Sequence, residues 1–362
     1  MARRVTHTDL PPALAGIEAP APRRPGRQRR ILRPDEYARP APLPLIQAAP
    51  AVIGAPVLHA VAKCRWCGGR FRKMDERHWI CTTEQCAERQ LAQAMRRAGN
   101  DTGPILFLPL PLQIDVDEDP TTNLLVAGAA GVSKSTGCRW NLYRKCRKIA
   151  GYRALLLRCT YDQLQKNHLA MMPAELEALG DATYKAQQRV AIFHHEDGND
   201  AMIFAGYCDK PADIAQHVGP EWDSVNLEEG VTLLPKAIEE ISAKARGSGT
   251  SRVAHERLGL RAGVTRIWSN PGGRAMRYLI QMYINKNPDP EEFPKYDPNE
   301  FGHLHCTLED NPALDASYDQ KTLSGLSAAR YKQLRYGDWS ALAGQFFESF
   351  SPEIHLTRSE PA

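Results

Sequence analysis

Fourteen residues, Asn123 to Thr136, read NLLVAGAAGVSKST and constrain this chain more than any other stretch. A short apolar run ends in a glycine-bearing turn, and the turn ends in Lys134 with two hydroxyls, Ser135 and Thr136, directly behind it. A nucleoside triphosphate needs backbone N–H groups converging on its phosphates, a helix N-terminus aimed at them, a cation on the β/γ oxygens and a hydroxyl for Mg²⁺. Gly128 and Gly131 permit the turn, Lys134 supplies the cation and Ser135 the magnesium hydroxyl. A helix is predicted from about Ser135 through Cys138, Trp140 and Leu142. Against the pattern G-x-x-x-x-G-K-[ST], Ser133 stands where the last glycine belongs, which places a Cβ where the chain should approach the phosphates. The alternative is an ordinary strand, turn and helix.

The 362 residues suffice for two or three domains, and a hydrophobic fraction of 43% is enough for a real core. The formal charge of +4 is modest but unevenly placed. Through Arg39, arginines at 3, 4, 23, 24, 27, 29, 30, 33 and 39 face only Asp9, Glu18, Asp35 and Glu36, with prolines between them. Residues 1–50 are therefore expected to be a disordered basic arm, either a solvated tail or a nucleic-acid contact. The first thirty residues lack the uninterrupted apolar run of a signal peptide, and Ala48 to Ala62 is too short and proline-broken to span a bilayer. No membrane contact is expected, and the nine cysteines suit a reducing compartment if four of them hold a metal.

Those four are Cys64, Cys67, Cys81 and Cys86. The C-x-x-C pair and the second pair are separated by thirteen residues, GGRFRKMDERHWI, which read as a glycine turn followed by a small β-ribbon. Four thiolates on two short turns can form the tetrahedron that structural Zn²⁺ prefers, so residues 60–100 are predicted to be a zinc-ribbon module with a following helix, Ala87 to Arg97. Two unrelated thiol pairs are the alternative, and His78 is a possible substitute ligand. The basic and aromatic residues of the ribbon, Arg65, Trp66, Arg70, Phe71 and Arg72 among them, suit a nucleic-acid or protein contact as well as a solvated face.

Residues 101–350 are predicted to form one α/β domain, followed by a tail at 351–362. Ile105 to Leu112 is an apolar segment leading to Gln113, and Asp115 to Asp119 reads as an acidic turn. Tyr152 to Cys159 has the unbroken apolar centre of a buried parallel strand. Gln187 to Phe193 and Ala201 to Tyr207 flank HHEDGND as a hairpin, whose histidines and acids read as a plain turn rather than a metal site. Further on, a VNL strand closes in Glu228 and Glu229. Downstream of a phosphate loop, such a pair suits a magnesium ligand, Glu228, and a water-activating carboxylate, Glu229; acids at a helix N-terminus are the alternative. Val264 to Trp268 is another strand, ending in Ser269 and Asn270, where an open α/β sheet places its ligand. That pair could sense the γ-phosphate or simply make the turn into NPGG.

Taken in order, LPLPLQ, the phosphate loop, LLLRCTYDQL, GPEWDSVNLEE, TRIWSNPGG, LEDNPALD and YGDWSALAGQFFESF resemble the large terminase subunit of tailed bacteriophages, over roughly residues 107–355. The resemblance implies a RecA-like, mostly parallel sheet, ATP with Mg²⁺, and a homo-oligomeric ring at the portal that moves double-stranded DNA into a procapsid. It further implies a portal protein and a small terminase subunit as partners, in the cytoplasm of an infected bacterium. By the same resemblance, Lys134 and Ser135 are the loop pair, Glu228 and Glu229 the acid pair, Ser269 and Asn270 a coupling motif, and Gln113 an adenine-reading glutamine. Arg158 stands where the family often has an arginine, with no role derivable from the sequence. The loop lacks the arginine many relatives carry, which leaves Arg139, Arg246 or a neighbouring subunit as sources of an arginine finger. Large terminases usually continue into a metal-dependent nuclease; this sequence stops soon after FFESFSPEIHL, and nuclease activity is not expected of it. Two other readings stand beside the motor: a non-hydrolysing DNA-binding or assembly protein whose loop has degenerated at Ser133, and a helicase-like remodelling ATPase.

Overall fold

The computed structural model describes residues 58–315 and 317–341. The basic arm, the C-terminal tail and the end of the YGDWSALAGQFFESF run lie outside the described residues.

The cysteine-bearing segment folds as a three-stranded antiparallel sheet, β1 (Leu58–Lys63), β2 (Arg70–Lys73) and β3 (Trp79–Cys81), followed by α1 (Glu84–Ala92). The helix starts three residues earlier than Ala87 and stops well short of Arg97. A small core of Ala62, Cys64, Phe71, Cys81 and Cys86 forms within this module. Helix α2 (Pro111–Glu118) then takes up Asp115 to Glu118, where the sequence reading placed an acidic turn. Pro111 sets the first helical φ, and Ile114 and Val116 are fully buried, so packing overrides the poor helix propensity of the aspartates.

The larger sheet has eight strands: β4 (Asn123–Gly128), β5 (Arg153–Arg158), β6 (Ala182–Lys185), β7 (Val190–Phe193), β8 (Ala201–Tyr207), β9 (Ser224–Glu228), β10 (Val264–Ser269) and β11 (Phe301–Cys306). Their order is β11-β4-β10-β9-β5-β8-β7-β6. The first six in that order are parallel, and β7 runs against both of its neighbours. Successive residues of β4 and β5 enter opposite core layers: Leu124, Val126, Ala154 and Leu156 pack on one face, and Leu125, Ala127, Leu155 and Leu157 on the other. Burial on both faces is why these strands read as continuous apolar runs rather than alternating ones.

Helices cover both faces. On one lie α3 (Lys134–Lys148) and α5 (Met172–Leu179), whose Trp140, Leu142, Tyr143 and Leu176 are buried in the first layer. On the other lie α6 (Pro235–Ser242) and α8 (Met276–Leu279), which contribute Ala237, Ile238, Ile241 and Leu279. The short α4 (Tyr161–Leu164) continues into a π-helical turn, Gln165–Leu169. Helix α7 (Arg252–Leu258) meets Tyr152 and Asp223, just before β5 and β9, through His255, and α9 (Ala328–Tyr336) packs beside β4. This is the three-layer α/β arrangement of a RecA-like domain. Because the central strands are parallel, the C-terminal ends of β4, β5, β9 and β10 share one edge of the sheet.

Candidate functional site

The loop after β4 is held open by its neighbours. Ala129 donates from its backbone N–H to the carbonyl of Cys306 at 2.9 Å, and Ala130 donates to that of Leu334 on α9 at 2.8 Å. A Cβ at Gly128 would come within 1.9 Å of the Cys306 carbonyl oxygen, so no other residue fits there. The Asn311 amide donates to the Gly131 carbonyl at 2.6 Å. At the far end of the loop, Ser133 adopts a left-handed conformation, φ 62° and ψ 30°, immediately before α3. The sequence reading explained the missing glycine by the bulk of a Cβ; the backbone gives a second reason, since a left-handed non-glycine residue costs of order 1 kcal/mol.

Lys134, the first residue of α3, is 8% exposed. Its ammonium donates to the Ala129 carbonyl at 2.6 Å and makes a very short contact with the side-chain oxygen of Asn270. The Asn270 amide in turn lies 3.5 Å from Glu229 Oε1. Ser135 Oγ donates to Glu228 Oε2 at 3.2 Å. The strand register accounts for this convergence: Trp268 pairs with Glu228 and Ser269 with Ala127, which sets the end of β10 between the acids and the loop. Ser269 Oγ is turned away from that centre, accepting from the Val231 N–H at 3.1 Å.

Two residues without an assigned role complete the cluster. Arg158, at the end of β5, sits 3.6 Å from Glu228 and 3.9 Å from Glu229. Its Nε and Nη1 have no hydrogen-bond partner among the described residues. His168, fully buried in the π-helical turn, lies with Nε2 3.1 Å from Glu228 Oε2. Burial pushes the Glu228 carboxyl up, but the His168 imidazole, the Arg158 guanidinium and the Ser135 hydroxyl outweigh it and hold Glu228 below the ordinary glutamate range. Glu229 goes the other way, raised by burial and by the charge of Glu228 against the opposing pull of Lys134, Arg158 and Arg330. Glu229 is also left-handed, with φ 50°. Two adjacent carboxylates are thus driven apart, one kept anionic and one made more basic, a pattern that marks functional sites. His168 gives no sequence signal, since a lone histidine in QKNHL reads as ordinary; a π-helical turn is the structural sign.

Gln113 lies on α2. Its Oε1 accepts from the Leu110 N–H at 2.9 Å and its Nε2 donates to the Ser133 carbonyl at 3.3 Å. It borders a cavity of about 370 Å³ that also meets Ser133 of the loop and Thr136 and Trp140 of α3.

Of the arginine-finger candidates, Arg139 is engaged within its own chain. It makes a two-pronged bond to Glu175, 2.8 Å on each side, and donates to the Asn167 carbonyl at 3.0 Å. Arg246 pairs with Glu221 at 3.0 Å and follows the α6 end, beside Trp222 at the opposite edge of the sheet from the loop. The sequence reading overlooked Arg330 on α9, which donates to the Pro271 carbonyl at 2.9 Å and whose charge reaches Glu229.

The sulfurs of Cys64, Cys67, Cys81 and Cys86 lie within 4.8 Å of one another, the one such group of potential metal ligands among the described residues. His78 bonds instead to Asp75, at 2.8 Å. His194 faces Asp200 at 3.0 Å and His195 meets the Cys146 carbonyl at 2.7 Å.

No known protein family is matched by the sequence, and no curated protein matches it. Among solved structures, the chain superposes on the large terminase of a thermophilic bacteriophage with a TM-score of 0.50 and 13% identity, covering 64% of this chain and 54% of that one. The large terminase ATPase domain of Thermus phage P74-26 gives 0.43 at 15% identity, covering 63% and 92%. The HK97 bacteriophage large terminase gives 0.40 at 11%, covering 69% and 55%. At such identities the likeness is one of fold, and it is carried by the first of the three: the chain has the fold of a phage large terminase and spans about half the length of that protein. No helix of the described residues is long and apolar enough to cross a membrane.

Proposed function

We propose that this chain, folded as a phage large terminase is, hydrolyses ATP and couples that reaction to movement of double-stranded DNA into a procapsid. The observation that carries the reading is the convergence of Lys134, Ser135, Glu228, Glu229 and Asn270 at one edge of a parallel sheet. The phosphates of ATP would lie on the loop N–H groups at the N-terminus of α3, with Lys134 on the β/γ oxygens. Magnesium would take Ser135 and Glu228 as ligands, a hydroxyl and a carboxylate already 3.2 Å apart, and would neutralise charge on the phosphate oxygens. Glu229, with its raised basicity, accepts the proton of the water that attacks the γ-phosphate in line. Asn270, touching both Lys134 and Glu229, would sense the γ-phosphate, with Ser269 fixing its strand end against Val231. Arg158 and His168 hold Glu228 in its ionised form, and Gln113 would contact the base.

Zn²⁺ is the metal proposed for the four cysteines, whose thiolates suit a closed tetrahedral site. Assembly as a ring on a portal protein, with a small terminase subunit and in the host cytoplasm, belongs to the same proposal. So does a mainly phosphate-directed, salt-sensitive grip on DNA. Ser133 favours one competing reading, a protein that binds DNA without hydrolysing ATP.

The test is ATP turnover with and without double-stranded DNA, comparing the wild type with Lys134→Ala and Glu229→Gln. The motor reading expects DNA-stimulated turnover that falls at least about a hundredfold in either variant, a barrier change of roughly 2.7 kcal/mol. Absent turnover in all three, with DNA binding intact, would leave the binding-protein reading. Unwinding of duplex DNA in the absence of procapsids would favour a helicase-like enzyme instead.

A further inference from the structure

The cysteine module does not stand apart from the larger domain. Arg65, inside the first cysteine pair, reaches Asp115 of α2 at 3.0 Å, and the Trp66 indole N–H donates to the same carboxylate at 2.8 Å. Gln90 of α1, fully buried, links the two units: its Oε1 accepts from the Cys81 N–H at 2.9 Å and its Nε2 donates to the Pro109 carbonyl at 2.9 Å. These contacts fix the ribbon against the segment that leads into α2 and Gln113. The ribbon then supplies Arg77, from the turn between β2 and β3, and Trp79, the first residue of β3, to the same 370 Å³ cavity that meets Gln113, Thr136 and Trp140.

We infer that the four-cysteine module is the outer wall of the nucleotide-base pocket, with Arg77 and Trp79 facing the base, so that metal in the cysteines governs affinity for the base. The inference rests on the nucleotide-binding reading given above.

Three observations lead there. The cavity opens directly off the phosphate loop through Ser133 and off the start of α3 through Thr136, so a ligand seated on the loop extends into it. Its size lies in the roughly 300–1,000 Å³ range of small-molecule sites, and its walls are mostly apolar with a few polar groups, which suits a flat heteroaromatic ring. Third, Trp140, whose indole N–H has no hydrogen-bond partner among the described residues, lines the cavity and adds a second aromatic wall to it. A guanidinium and an indole from the ribbon then offer cation–π and stacking faces to a base. The ribbon carrying them is short and has only a small core of its own, so its shape depends on the sulfur cluster at its root.

The experiment is a calorimetric titration of the full chain, in magnesium, with ATP and separately with inorganic tripolyphosphate. Four samples are compared: zinc-loaded wild type, chelator-stripped wild type, and zinc-loaded Arg77→Ala and Trp79→Leu. Each variant is first checked for about one zinc per chain. The expected result is that stripping and both substitutions weaken ATP binding about tenfold, as loss of one stacking or cation–π contact does, while tripolyphosphate affinity stays within about twofold. Unchanged ATP affinity in all three altered samples overturns the inference and leaves the nucleotide reading standing. Equal losses for both ligands also overturn it, because the ribbon would then support the loop rather than the base. A wild type that binds neither ligand removes the nucleotide reading, and this inference with it.

Discussion

Ser133 and Glu229, two non-glycine residues in the left-handed region, bracket the proposed reacting centre. Strain of this kind is retained where the surrounding structure over-determines it, commonly at sites that do chemistry. For Ser133 the consequence is measurable. Ser133→Gly relieves the conformation but adds freedom to the unfolded chain, so a net gain of no more than about 0.5 kcal/mol is expected in urea unfolding. A loss of stability would show that the serine side chain holds the turn. For Glu229 the consequence is a pH dependence. Its carboxyl is raised, by burial first and the Glu228 charge second, so the anion proposed as the base disappears on acidification at a pH above the ordinary glutamate value of about 4.3. Arg158 pulls the same carboxyl down, so Arg158→Gln should move the acid limb of kcat/KM for ATP to higher pH. An unmoved limb would assign it to another group. At this scale the sequence was legible where spacing within a few residues sets the local geometry, as in the strand, turn and helix start of Gly128 to Thr136. It was silent on Arg158 and His168, because their meaning lies in Glu228, 70 and 60 positions further on.

Between elements, buried polar joints do what apolar patterning cannot. Asp223, just before β9, is fully buried and accepts from the Arg153 N–H at 2.7 Å, the Ser248 N–H at 2.8 Å and the Ser251 hydroxyl. It thereby ties β5, β9 and the approach to α7 at the edge of the sheet remote from the loop. Burial raises this carboxyl, yet His255, Ser251 and the two backbone donors outweigh that and hold it below the usual aspartate range. The sign follows: the contribution is fully present above the ordinary aspartate value of about 3.9 and is lost as pH falls through the depressed folded value. Asp223→Ala leaves two backbone N–H groups and the Ser248 and Ser251 hydroxyls without their acceptor, and should cost about 3–5 kcal/mol at neutral pH. The penalty should shrink on acidification; a penalty independent of pH would mean that packing, not charge, makes the joint. Strands such as β4, β5 and β9 could be read from their apolar runs, and the β7–β8 hairpin from its turn. Helix α2 could not, since its aspartates point away from helix until Ile114 and Val116 find the core. The π-helical turns after α4 and α8 leave no trace in residue choice either.

The order of motifs along the chain was enough to suggest a terminase-like sheet, because that order fixes which strand ends meet. How the cysteine module meets the sheet was not legible, since Arg65 joins Asp310 across 245 positions and no local pattern announces such a pair. Its small core is separate from the two layers that sandwich the large sheet. With the zinc proposed for its cysteines, the ribbon would owe its folding to the metal, whereas β4, β5, β9 and β10 owe theirs to burial on both faces. Chelation should raise amide exchange in β1, β2 and β3 to nearly the unprotected rate, while the central strands keep their protection. The region between should respond in a graded way: α2 loses the Arg65, Trp66 and Gln90 contacts but retains Ile114 and Val116 in the core. Exchange around Gln113 should then quicken without reaching the unprotected limit. If β4 and β5 lose protection together with the ribbon, the two units fold as one, and the cysteine cluster stabilises the entire chain rather than one wall of a pocket.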